Sequence, residues 1–179
     1  MPGARTTVSR HHAARREPVT DKSAEIHLDR EMRFVARMGS GHEVVMDDRH
    51  GDSGARPTEL VLAGLGGCTA MDVTSVLRKK RQEVSRLEVR VGATQREAYP
   101  QIFTDIDLLV EVEGPRVSVD AVRGAIELAA RKYCSVSAML AAGETVIHHR
   151  YRVIGTGAAP FDETGEVRVS GPFERPEAL

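Results

Sequence analysis

Pro57-Thr58-Glu59-Leu60-Val61-Leu62-Ala63-Gly64-Leu65-Gly66-Gly67-Cys68-Thr69-Ala70-Met71-Asp72 is the stretch on which the fold turns. Proline suits the first turn of a helix, where its missing N–H would have no partner, and Glu59 suits the positive end of the dipole. The spacing predicts a helix from Pro57 to about Gln82, closed by Arg78-Lys79-Lys80-Arg81 at its negative end. Its first half is apolar all round, as in a helix buried on every side. Gly64, Gly66 and Gly67 each weaken a helix by about 1 kcal/mol against alanine. They leave two readings open: close backbone approach by another element, or a break just before Cys68.

Upstream of this helix the pattern has period two. Met32, Phe34, Ala36 and Met38 alternate with Arg33, Val35 and Arg37, Gly39-Ser40-Gly41 turns the chain, and residues 42–47 resume as a strand. A strand at Ala24 to Leu28 precedes this hairpin, and a polar loop, Asp48 to Arg56, follows it. Downstream, Leu87 to Ala93 and Phe103 to Glu113 read as two long strands, the second alternating at Ile106, Leu108, Val110 and Val112. Ser118 can cap a helix whose apolar face is Val122, Ala125, Ile126, Ala129 and Tyr133. The chain restarts near Cys134 in a short helix to about Ala142, and Thr145 to Ile154 is a last core strand. The expectation is an α+β domain of order βββ-α-ββ-α-α-β with an antiparallel sheet, over residues 23–155. Residues 1–22 read as a disordered extension, with Arg5, Arg10, Arg15 and Arg16 opposed by Glu17 and no apolar run typical of a secretory signal. Residues 156–179 read as a tail with one short strand at Glu166 to Val169.

Composition narrows the function. The chain has 179 residues, 41% of them hydrophobic, which suffices for one domain with a core. A formal charge of −1 calls for no nucleic-acid partner, and the apolar run Leu60 to Cys68 is about half of a membrane span, so a soluble protein is expected, while its sparse cysteines fit a cytoplasmic setting with reactive or buried thiols. The 2 cysteines, Cys68 and Cys134, cannot form a disulfide scaffold and lack CxxC spacing.

A thiol reacts as thiolate, so a catalytic cysteine needs a nearby cation or helix N-terminus. Cys134 follows Arg131-Lys132 and precedes a short helix. Cys68 lies in apolar surroundings, which raise a thiol pKa, and Asp72 one turn later would oppose a thiolate if it faced the sulfur. Two thiols can turn over a peroxide, one becoming a sulfenic acid and the other condensing with it to a disulfide. Free cysteine is also a common buried apolar residue, and spacing alone leaves that inert reading open. His148 and His149 alternate faces on a strand, so at most one faces the core, and a surface role is expected. Asp72 reads as structural, Tyr99-Pro100 as turn chemistry and Tyr133 as core. No cofactor is expected. Nor is a metal, since Cys68, Cys134, His42 and His50 have no recognised ligand spacing.

The string from Pro57 to Asp72, with Tyr99-Pro100, Phe103-Thr104 and Arg131-Lys132-Tyr133-Cys134-Ser135-Val136-Ser137, resembles the OsmC/Ohr family of hydroperoxide-reducing proteins, in the branch with the Gly-Gly-Cys-Thr-Ala-Met-Asp string. The resemblance implies an intertwined homodimer with sites at the subunit interface, Cys68 as peroxidatic and Cys134 as resolving cysteine. It also implies organic hydroperoxides as substrates and dithiols or lipoyl groups as reductants. Family peroxidases carry a glutamate directly after the proline, where this chain has Thr58, with Glu59 one place on. Their activating arginine lies in the early hairpin, where Arg33, Arg37, Arg49 and His42 are available. Glu59 joins the two cysteines as a candidate catalytic residue, although on a continuous helix it lies about 13 Å from Cys68 and points elsewhere; capping is its other reading. The alternative function is a ligand-binding or stress-related domain of the same fold without peroxidase activity.

Overall fold

The computed structural model describes residues 22–169; the expected extension up to residue 21, and the tail beyond 169, lie outside them. Two compact units follow one another along the chain, one ending at Ala55 and one beginning at Arg56.

In the first unit, strands β1 (Ala24–Arg30), β2 (Arg33–Met38) and β3 (Glu43–Met46) form an antiparallel sheet in chain order. Gly41, at φ 87°, supplies the left-handed residue of the β2–β3 turn. The following loop is organised by the buried carboxylate of Asp47. It accepts hydrogen bonds from the Ser53 hydroxyl at 2.6 Å, the Ser53 N–H at 3.2 Å and the Asp48 N–H at 2.8 Å. These bonds, the hydroxyl's first, hold the Asp47 carboxyl below its ordinary pKa.

The second unit opens with the helix the sequence predicts, α1 (Pro57–Lys79). It is unbroken at its glycines. Gly66 lies under β4, where an added Cβ would stand 3.0 Å from Val91 Cγ2, whereas Gly64 and Gly67 face open space. The helix stops at Lys79 rather than Gln82 because Arg81 adopts a left-handed conformation (φ 56°), and the Gln82 N–H reaches back to the Leu77 carbonyl at 3.0 Å. This is a Schellman-type stop. By length and composition alone α1 could cross a membrane; here it packs on β4 and α2 as a core helix, with Leu65, Val73 and Leu77 buried.

Strands β4 (Arg86–Gln95), β5 (Phe103–Gly114), β6 (Val146–Gly155) and β7 (Phe161–Val167) form a sheet in that order. The β4–β5 and β6–β7 pairs are antiparallel, but β5 and β6 are parallel, so the sheet is mixed rather than wholly antiparallel. The reason is the connection. Between β5 and β6 run α2 (Val119–Leu128), a π-helical turn (Ala129–Tyr133) and α3 (Ser135–Leu140), a helical crossover that returns the chain to the same end of the sheet. The last strand begins five residues earlier than the expected Glu166 and is a full sheet member.

Alternation on β5 is as read: Ile106, Leu108, Val110 and Val112 are completely buried against the helices, among them Val122, Ala125 and Ile126 of α2. The Ser118 hydroxyl caps α2 by accepting the Ala121 N–H at 3.2 Å. On the outer face of the sheet, Glu111 lies between Arg86 (3.1 Å) and Arg152 (3.2 Å), and Arg152 also pairs with Asp162.

Two further expectations are corrected. Tyr133 is not core but 48% exposed, because the π-turn inserts one residue after Leu128 and shifts Tyr133 off the apolar face while Ala129 and Ala130 stay buried. His149 is not a surface residue; only its neighbour His148 is partly exposed, and His149 is 4% exposed on the helix-facing side of β6. Its Nδ1 has no hydrogen-bond partner among the described residues, and burial lowers its pKa to about 4.

Candidate functional site

Cys68 occupies the middle of α1, held by the turns that bury Leu65 and Thr69 on either side of it. Cys134 is the N-cap of α3, with extended backbone (φ −72°, ψ 97°), and the preceding π-turn closes on it through the Cys134 N–H to the Ala129 carbonyl at 2.9 Å. Packing of the crossover against α1 brings the two sulfurs together with a third group, Asp72. Both Sγ atoms and an Asp72 carboxylate oxygen lie within 4.8 Å of one another.

Exposure and partners separate the two thiols. Cys134 is 2% exposed, and its sulfur accepts the Ser137 N–H at 3.4 Å and the Thr69 hydroxyl at 3.8 Å. Cys68 is only partly buried, and its thiol points at Asp72 Oδ2, 3.9 Å away. Burial raises the Cys68 pKa, helped by the hydrogen bond with Cys134 and the negative charges of Cys134 and Asp72, while the Val136 N–H works in the opposite direction. No cation is among the groups acting on this thiol in the described residues. Burial also raises the Asp72 carboxyl pKa, so this acid is a better proton acceptor than an exposed aspartate.

The other candidates lie elsewhere. Glu59 is exposed in the first turn of α1, where its carboxylate accepts the Arg56 N–H at 2.9 Å and pairs with the Arg56 guanidinium at 3.3 Å. That is the reciprocal half of a capping box, and within this chain it does not bring Glu59 to the sulfurs. Glu59 instead borders a groove of about 520 Å³ between α1 and β4, walled by Leu62, Ala63, Gly66, Gly67, Val89 and Val91. Arg33 pairs with Asp29, and Arg37 with Glu43 at 2.7 Å, both inside the first unit. Arg131 turns to Glu127 at 3.0 Å. The one-turn spacing of Asp72 from Cys68 is the sequence signal that they share a face, and the structure does place its carboxylate against the Cys68 sulfur. Thr69 and Ser137 carried no such signal.

An α+β fold with a mixed sheet, a long central helix and two facing free thiols defines a class of small thiol proteins. The chain belongs to the OsmC-like family, whose profile, described as OsmC-like protein, matches residues 50–149. It is 41% identical over 121 residues to Protein YhfA of Escherichia coli strain K12, an alignment covering 68% of this chain and 90% of that protein. A crystal structure of a protein from Aquifex aeolicus VF5 is similar at 31% identity and TM-score 0.69, over 75% of this chain and 97% of that one. In fold alone it is also similar to an organic hydroperoxide resistance protein OsmC from Legionella pneumophila, with 12% identity and TM-score 0.54 over 76% of this chain and 98% of that one.

Proposed function

We propose that the protein is a thiol peroxidase for organic hydroperoxides, working through Cys68 and Cys134. One observation carries this reading: two free sulfurs within 4.8 Å of each other, one accessible and one buried. The accessible Cys68 is the attacking thiol. Its sulfur displaces alkoxide from the hydroperoxide as the O–O bond breaks, and becomes a sulfenic acid. Asp72 Oδ2 accepts the thiol proton during attack and returns it to the alkoxide, which leaves as the alcohol. The Cys134 sulfur then attacks the Cys68 sulfur, forming the disulfide and releasing water. An external dithiol, of which lipoyl groups are one kind, restores both thiols by exchange. Glu59 and the groove it borders lie on the face of α1 turned away from Cys68, so in this reading Glu59 takes no step at the sulfurs of its own chain.

Exposed apolar side chains on the second unit, Val61 and Met71 on α1, Leu128 on α2 and Met139 on α3, suit burial by a second copy, so the working form is read as a homodimer. A cytoplasmic setting, where thiols are kept reduced, suits the free cysteines. The second reading is a ligand-binding domain of the same fold without peroxidase activity. It is favoured by the raised Cys68 pKa and by the engagement of Glu59 in the helix cap.

The test is one equivalent of cumene hydroperoxide added to reduced, metal-free protein, with peroxide assayed and disulfides mapped by mass spectrometry. Peroxide loss with a Cys68–Cys134 link is expected, and Cys68→Ser should abolish both. Unconsumed peroxide and no link would sink the peroxidase reading in favour of the second. A monomeric mass by light scattering at micromolar concentration would count against the dimer.

A further inference from the structure

We propose that the reduced protein holds a thiophilic divalent cation of the Zn²⁺ type on Cys68 Sγ, Cys134 Sγ and the Asp72 carboxylate. The inference goes beyond the peroxidase reading and does not rest on it, since it requires only the two free thiols. A tetrahedral zinc with Zn–S of about 2.3 Å and Zn–O of about 2.0 Å places its donors roughly 3.5 to 3.8 Å apart. The three donors here already lie within 4.8 Å of one another, with Cys68 and Asp72 at 3.9 Å, so adjustments of side-chain torsions alone bring them onto one ion. Cys68 and Asp72 are one turn apart on a rigid helix, and Cys134 is fixed by its capping position, so little ordering is left to binding.

Charge and outer contacts point the same way. Two thiolates and a carboxylate within 4.8 Å of one another would concentrate three negative charges, which a divalent ion offsets. The Ser137 N–H and the Thr69 hydroxyl are aimed at the Cys134 sulfur, and the Val136 N–H at the Cys68 sulfur. Donors of this kind orient and stabilise metal-bound thiolates. Partial exposure of Cys68 leaves an entry path and a fourth position for water. Binding releases two thiol protons and changes no oxidation state. Oxidation to the disulfide removes both sulfur ligands, so metal and disulfide exclude each other.

This is not a set the sequence suggested. Sequence considered Cys68 and Cys134 with His42 and His50; the fold supplies Asp72 instead. The experiment titrates fully reduced protein with Co²⁺ and follows its absorption, then adds Zn²⁺. One equivalent of Co²⁺ should give a sulfur-to-metal charge-transfer band and d–d bands of tetrahedral intensity, both lost on adding Zn²⁺. Cys134→Ser should weaken the charge-transfer band, and Asp72→Asn should lower Co²⁺ affinity at least tenfold with the band retained. Absence of the band in the reduced parent protein overturns the proposal whatever the variants do, as does an equal band in protein carrying the Cys68–Cys134 disulfide. Peroxide consumption is measured separately without metal, so the fate of the peroxidase reading is decided independently.

Discussion

Replacing His149 by phenylalanine should flatten the acid side of the protein's stability curve. The imidazole is 4% exposed, its Nδ1 has no partner among the described residues, and it lies beside Leu108 across the parallel β5–β6 pair. Charging it in place would bury a cation without a counter-ion, so burial, reinforced by the positive charge of His148, takes its pKa from 6.5 to about 4. The unfolded chain therefore binds a proton below pH 6.5 that the folded chain refuses. Stability from this group is intact above that pH and is lost as the pH falls towards 4, at about 1.4 kcal/mol per pH unit at most. Between about pH 7.5 and pH 5 the loss should reach about 2 kcal/mol, on the order of a fifth of a small domain's stability. The assay is urea denaturation at half-unit pH steps on parent and His149→Phe protein, comparing slopes rather than absolute stabilities. Asp72 shifts in the opposite sense, a raised carboxyl contributing most at low pH, but it is present in both proteins and cancels in the comparison. Parallel slopes in the two proteins would refute the reasoning.

Three further substitutions have defined outcomes. Gly114→Ala should destabilise by at least about 2 kcal/mol in thermal or chemical unfolding, because the new Cβ overlaps the backbone oxygen of Glu83, which cannot move aside. Gly124→Ala, in the interior of α2, meets only the flexible end of Lys80 at 3.0 Å and should stabilise by about 0.5 to 1 kcal/mol; a loss would show that Lys80 cannot yield. Ser118→Ala removes the acceptor of the Ala121 N–H and should lower stability by about 1 kcal/mol in the same assay, with Ser118→Asp restoring most of it.

What could be read from the chain was what local chemistry decides. The start of α1 follows from proline and a first-turn acid, the start of α2 from Ser118, and the inward face of β5 from a clean two-residue alternation. The parallel pairing of β5 with β6 was hidden, since strand alternation is the same for either direction and only the path of the crossover decides it. Period two allows at most one of His148 and His149 to face the core, and the surface role expected for them fails at His149, which burial against the helices claims. The misjudged Tyr133 has a different cause: its spacing presumed 3.6 residues per turn through a segment that closes with a five-residue step. Both cysteines could be singled out from sequence, and their proximity came only from tertiary packing. Asp72 stands one turn from Cys68 in the sequence, but that spacing does not tell that Cys134 joins them; only the packing of the crossover on α1 does.

The π-turn at Ala129–Tyr133 means that the aim of Cys134 is set by a count of residues as much as by any side chain. Deleting one residue from that turn would let an ordinary helix run on, and each position beyond would swing through about 100°. Tyr133 would move towards the apolar stripe, and the Cys134 sulfur would turn away from Cys68. A single-codon indel there could therefore dismantle the thiol pair while leaving both cysteines, Asp72 and the hydrophobic core in the sequence. Across relatives of this chain, the length of the segment between Ser118 and Cys134 is thus as informative about the thiol chemistry as the presence of the cysteines themselves.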